Sequence, residues 1–312
     1  MDDPGRALSA ILERCERRLV SPAVALMEML IETEDAAAVA AALQAVAPRS
    51  AAARELLALR EANAAGCARV AAMLRSGVDR PPKNASLEEG VAFCRRLFDW
   101  SVRQSEEASV ALYSLGSPAL LQAATREIVD VLEAWGSLGA RKRALDVGCG
   151  IGRMEEALAA KLGELRGIDV SGEMIAVARR RCEGLDNVAF SVCTGLDLHE
   201  LATGAYDLVF AIDSFPYLVQ SGMPLVGVHF AEAARVLGPG GELVVLEFSY
   251  RDDLDADRLD VASLAGAAGF DVVVDGERPF TLWNGAAFRL RKADAERGTA
   301  APQTVAPQRS QR

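Results

Sequence analysis

The sequence predicts an α/β fold: a seven-stranded, mostly parallel sheet with helices on both faces, preceded by an all-helical region. Three observations predict it. From Arg143 onward, short β-rich runs alternate with amphipathic stretches, the pattern of a parallel sheet wrapped by helices. A glycine-rich turn, "GCGIG" at 148–152, follows the first of those runs. Residues 1–80, by contrast, are rich in Ala, Leu, Glu and Arg and carry no strand pattern.

Within residues 1–80, Ser21-Pro22 starts a helix, the serine as cap and the proline at the first helical position. "VDRPPKNAS" (78–86) breaks the pattern with two prolines and marks a domain joint. Ser86 and Glu89 then have the spacing of a capping box. Residues 81–140 therefore read as a linker and helices that cover the active site, with Phe93, Leu97 and Trp100 on one helical face.

Residues 141–292 form the sheet domain. Its strand candidates are "RALDV", "LRGIDV", "VAFSVC", "YDLVFAID" and "ELVVLEFSY", then "DVVVDG" and "AAFRLRK". Asn284-Gly285, between "FTLW" and "AAFRL", signals a tight hairpin, so the sheet finishes with an antiparallel strand. The tail 293–312 has too few large apolar residues to offset its ordering entropy and reads as disordered.

The chain has 312 residues and a formal charge of −10, which repels phosphodiester backbones and anionic lipids and argues against nucleic acid as a partner. Six cysteines without C-x-x-C spacing, and a start without a secretory signal, predict a cytoplasmic protein with reduced thiols. No apolar run is long enough for a membrane helix. His199 and His229 have no metal-ligand spacing, so no metal is expected.

The turn at 148–152 brings the chain sharply from a strand into a helix, and side-chain-free residues there let a nucleotide-like ligand approach the backbone. Its spacing is G-x-G-x-G. The dinucleotide fingerprint would place its third glycine at Arg153, which disfavours a nicotinamide cofactor and an oxidoreductase. A phosphate loop would need a Lys-Ser or Lys-Thr that is absent.

In these residues the chain resembles the class I S-adenosylmethionine-dependent methyltransferase family, whose first motif is a strand ending in an acidic residue before G-x-G-x-G. Asp146, Gly148, Gly150 and Gly152 match it. The resemblance runs through roughly residues 110–292 and implies a Rossmann-like fold with S-adenosyl-L-methionine as cofactor. It implies that Asp169, ending the second strand, accepts from the ribose hydroxyls, and that Met174 lies against the adenine. After the third strand Thr194 and Gly195 stand where the family commonly has Asp and Ala, so Thr194, Asp197 or backbone would serve the adenine amino group.

Asp213 is expected to touch the methionine part of the cofactor or to orient the acceptor. The acceptor pocket is placed beyond the strand ends at "AIDSFPYLVQSG" (211–222), with Tyr250 ending the fifth strand and Tyr113 in a covering helix. "DSFPY" departs from the Asp-Pro-Pro-aromatic signature of base methylases by one residue and one proline. The expected reaction is methylation of a small molecule, or of a protein side chain, with oxygen or nitrogen ahead of carbon as acceptor atom. No catalytic residue is assigned. The N-terminal helices are a candidate homo-oligomer contact, and a non-catalytic binding or scaffold protein of the same fold is the alternative.

Overall fold

A computed structural model describes residues 4–77 and 85–293. The joint expected at 78–86 and the tail expected at 293–312 therefore lie almost wholly outside the described residues. The helical region comprises α1 (Pro4–Glu16), α2 (Pro22–Thr33), α3 (Ala36–Val46), α4 (Ala51–Ala62) and α5 (Ala64–Ser76). Ser21 caps α2 by accepting from Val24 N–H at 3.1 Å, with Pro22 at the first position. α2 packs against the other four and is buried through Ala23–Leu26, Met29 and Leu30, as befits a helix apolar on most of its circumference.

Next come α6 (Leu87–Gln104), α7 (Glu106–Val110) and α8 (Pro118–Ala134). The capping box at the start of α6 forms: Ser86 Oγ accepts from Glu89 N–H at 3.2 Å, and Glu89 Oε2 accepts from Ser86 N–H at 2.7 Å. The buried face of α6, however, is Val91, Cys94, Ser101 and Val102, with Phe93, Leu97 and Trp100 half-buried. Small residues face inward because α6 lies close against a cavity that Val91 and Cys94 help to line.

The sheet has β1 (Gly139–Val147), β2 (Leu162–Asp169), β3 (Val188–Val192), β4 (Tyr206–Ile212), β5 (Leu237–Leu246), β6 (Phe270–Glu277) and β7 (Ala287–Lys292), in the order β3-β2-β1-β4-β5-β7-β6. β1 to β5 are parallel, and β7 runs antiparallel between β5 and β6. The crossovers hold α9 (Arg153–Leu158), α10 (Gly172–Arg181), α11 (Phe215–Ser221), α12 (Met223–Val236) and α13 (Leu254–Ala268).

Two details differ from expectation. The β6–β7 hairpin closes through residues 278–286, not through a two-residue Asn284-Gly285 turn, because "FTLW" is not a strand. β5 stops at Leu246, where Glu247 takes a left-handed φ of 65°, so Tyr250 lies beyond the strand.

Successive strand residues point to opposite faces. Leu208, Phe210 and Ile212 of β4 join one apolar core, while Val209 and Ala211 join the other. The first core runs without a break from Val24 and Leu30 through Ile128 to Phe210 and Val244, so the N-terminal helices share a core with one sheet face. Ser21 Oγ also donates to Leu282 O at 2.9 Å, tying α2 to the β6–β7 connection. Among the described residues no helix is long and apolar enough to cross a membrane.

β1 and β4 are neighbours whose connections leave in opposite directions. Their carboxyl ends therefore open a crevice at the point where the strand order reverses. The covering helices roof it.

Candidate functional site

At that crevice lies a cavity of about 680 Å³, within the usual range for small-molecule sites. One end is built by the glycine turn. Gly148 and Cys149 donate their N–H groups to Ile168 O at 2.8 and 3.0 Å, which folds the turn back onto β2. Gly148 (φ 85°) and Gly150 (φ 52°) line the cavity, and both hold left-handed backbone. A Cβ at Gly148 would stand 2.5 Å from Ser214 Cβ, and one at Gly150 would stand 2.7 Å from Val110 Cγ1. Gly152 is different: its Cβ would meet Ala178 and Phe190, so this glycine permits close packing of α10 and β3, away from the cavity wall.

Asp169 closes β2 and lines the cavity. Its Oδ2 accepts from Gly150 N–H at 3.0 Å and its Oδ1 from Ser171 N–H at 2.8 Å, so turn and carboxylate fix each other. Burial pushes this carboxyl up to about 6 against the pull of those two N–H groups. Each oxygen retains a lone pair for a further donor. Ser171 caps α10 by accepting from Met174 N–H at 3.0 Å, and its hydroxyl donates to Asp99 of α6 at 2.6 Å. Met174 is buried and lines the same end, with Ser109 Oγ 4.0 Å from its sulfur.

Gly195 lines the cavity as expected, but Thr194 does not. Thr194 is exposed and its hydroxyl accepts from Leu196 N–H at 3.2 Å, because the chain leaves β3 in a local turn that points this side chain outward. Asp146 also lies away from the cavity wall. It sits beneath the turn, 2% exposed, beside Arg153 and Glu155, with Oδ1 unpartnered. Burial raises both the Asp146 and Glu155 carboxyls well above their ordinary range. A proton retained by this pair relieves the repulsion between two fully enclosed acids.

The other end of the cavity is built by the segments after β4 and β5 and by the N-terminal helices. Asp213 (φ 58°) donates its N–H to Leu246 O at 2.8 Å and accepts from the Tyr250 hydroxyl at 2.6 Å through Oδ1. Burial pushes its carboxyl up to about 6. Ser214 Oγ donates to Val147 O at 2.7 Å, locking the post-β4 loop to the glycine turn. Tyr217 stands edge-on to Phe98 and Tyr250, with centroids 4.8 and 5.8 Å away. Tyr113 is buried in the wall and stacks on Trp283 at 5.8 Å.

Several residues of this end escaped the sequence reading. His229, expected at or near the surface, is buried and lines the cavity, with Nδ1 donating to Leu225 O at 3.0 Å. Glu247 also lines it, and burial, then the charge of Asp213, pushes its carboxyl up to about 8. Its one visible signal is a charge interrupting the apolar run "LVVLEF" at the strand's carboxyl end. Arg14 and Glu28, an ion pair at 2.9 Å from α1 and α2, line the far wall.

Residues 144–241 match the family described as Methyltransferase domain. The chain is 37% identical over 122 residues to Methyltransferase GfsG of Streptomyces halstedii, covering 38% of this chain and 42% of that protein. It is 33% identical over 115 residues to a demethylmenaquinone methyltransferase of Tropheryma whipplei, covering 36% and 44%. The matched segment thus spans less than half the length of these curated relatives. Among solved structures, phosphoethanolamine N-methyltransferase 1 of Haemonchus contortus shares the fold at a TM-score of 0.53 and 18% identity, over 68% of this chain and 50% of that one. Through residues 144–241 and the sheet they build, the chain belongs to the class I S-adenosylmethionine-dependent methyltransferase family.

Proposed function

We propose that the protein transfers the methyl group of S-adenosylmethionine to a small, largely apolar acceptor. One observation carries this reading: a single cavity joins the Gly148–Gly150 turn, Asp169 and Met174 to a second, aromatic and acidic end roofed by the N-terminal helices. The residues of the first end fit the cofactor. Asp169 offers only acceptors, which suits a ribose diol, and the bare backbone of Gly148 and Gly150 suits the close approach of the amino-acid portion.

When bound, S-adenosylmethionine supplies an electrophilic methyl group on a sulfonium, displaced in line by the acceptor. The chain's own residues position and enclose. Asp169 holds the diol and Met174 packs on the purine. Val110 and Ser109 of α7 cover the turn and exclude water. Asp213, oriented by Tyr250, stands where the two ends of the cavity meet. Six free cysteines support a reducing, cytoplasmic setting for the reaction. Incubating the protein with methyl-labelled cofactor and fractionated small molecules tests the reading. Label in a low-mass product is the expected result, and label in none, or only in protein, would refute it.

A further inference from the structure

We propose that the acceptor end of the cavity takes a basic amine, held and deprotonated by the carboxyls of Glu247 and Asp213. The inference rests on the methyl-transfer reading and names its substrate class. Ile212 of β4 pairs with Leu246 of β5, so Asp213 and Glu247 follow side by side at the ends of adjacent strands. Glu247 is fixed from two directions: its N–H donates to Ala286 O at 2.7 Å and its Oε2 accepts from Ala286 N–H at 3.0 Å. Among the described residues, Glu247 Oε1 and Asp213 Oδ2 have no hydrogen-bond partner, and both residues line the cavity.

The surrounding charges favour a cation. Around Glu247 stand Asp213, Asp257 and Arg278. Asp257 is engaged by Ser249 and Arg251, and Arg14 is neutralised by Glu28. Asp252 adds a further carboxylate, while burial holds the His229 ring below its usual range and therefore neutral. A carboxylate or phosphate acceptor would meet like charge. An independent feature points the same way: the rings of Phe98, Tyr217, Tyr250 and Trp283 share this wall, and aromatic faces attract ammonium groups. Tyr113, only 4% exposed and stacked on Trp283, keeps a hydroxyl without a partner.

With the site empty, Glu247 retains its proton at neutral pH; an arriving ammonium favours the ionised form, so the proton leaves to solvent. Glu247 then holds the ammonium, and Asp213 takes one of its protons. The freed nitrogen lone pair forms the N–C bond to the methyl group as the C–S bond breaks. Its electron pair passes to sulfur, leaving a neutral thioether and a methylated ammonium opposite Glu247.

Calorimetry with protein saturated in S-adenosylhomocysteine, whose sulfur is uncharged, tests this with tryptamine, tryptophol and indoleacetate in two buffers of different ionisation enthalpy. Tryptamine is expected to bind at least about tenfold tighter than indoleacetate and to release close to one proton. Glu247→Gln should bind tryptamine roughly ten- to hundredfold more weakly and release none. Equal or better binding of tryptophol or indoleacetate, no proton release from the wild type, or no binding of all three would overturn the inference. If Glu247→Gln does not fold, the wild-type proton count with tryptamine against tryptophol decides. Failure of S-adenosylhomocysteine to bind the wild type would instead refute the methyltransferase reading.

Discussion

Replacing Asp169 by alanine removes the only side chain that joins the glycine turn to the expected ribose. Two charge-assisted bonds to the diol are lost, at about 1.5–3 kcal/mol each, which sums to roughly 3–6 kcal/mol. Affinity for S-adenosylhomocysteine should therefore fall about a hundred- to ten-thousandfold. The same change strips acceptors from Gly150 and Ser171 N–H, now at 3.0 and 2.8 Å, so some loss of melting temperature accompanies it. Calorimetric titration, with Thr194→Ala as the control, separates the two effects, because Thr194 is exposed and bonded only locally. Wild-type affinity should also decline as pH falls through about 6, where the carboxyl that must accept from the diol gains its proton. Equal affinity of Asp169→Ala and wild type would show that the ribose lies elsewhere.

Gly148→Ala must place a Cβ 2.5 Å from Ser214 Cβ at a φ of 85°; strain of about 1–3 kcal/mol should lower the melting temperature, and cofactor binding should be lost. Retained binding in that variant would mean that the turn does not approach the ligand. For Glu155, burial raises the folded-state value, so its contribution to stability is greatest below about 4.5 and is lost as pH rises. Chemical denaturation of Glu155→Gln at several pH values should show a shallower decline than wild type, by up to about 1.4 kcal/mol per pH unit, and parallel curves would contradict the burial of an ionisable group there. Ser86→Ala should cost about 1 kcal/mol in unfolding free energy through the lost capping box, and an unchanged value would show that α6 is held by packing alone.

What was legible in the sequence is what short-range geometry decides. The seven strands, the left-handed glycines after β1, Asp169 at the end of β2 and the cap before Met174 all follow from spacing within a few residues. What was not legible depends on which distant segment covers a side chain. Asp146 and Glu155 read as a ligand and a solvated first-turn acid, yet α9 tucks both under the turn. Thr194 occupies the position expected to face the adenine, but the backbone after β3 turns it outward. Asn284-Gly285 carries a hairpin signal that docking of Trp283 onto Tyr113 overrides. The acceptor end joins α1, α2, the ends of β4 and β5 and the β6–β7 connection, and no spacing rule links those segments.

The central claim is that this cavity binds the methyl donor through Asp169 and passes its methyl group to a small molecule. Titrating purified full-length protein with S-adenosylmethionine by calorimetry tests the first half most directly. The account predicts saturable binding at one site per chain, weakened by Asp169→Ala and indifferent to Thr194→Ala. Absence of binding at high micromolar ligand would contradict it.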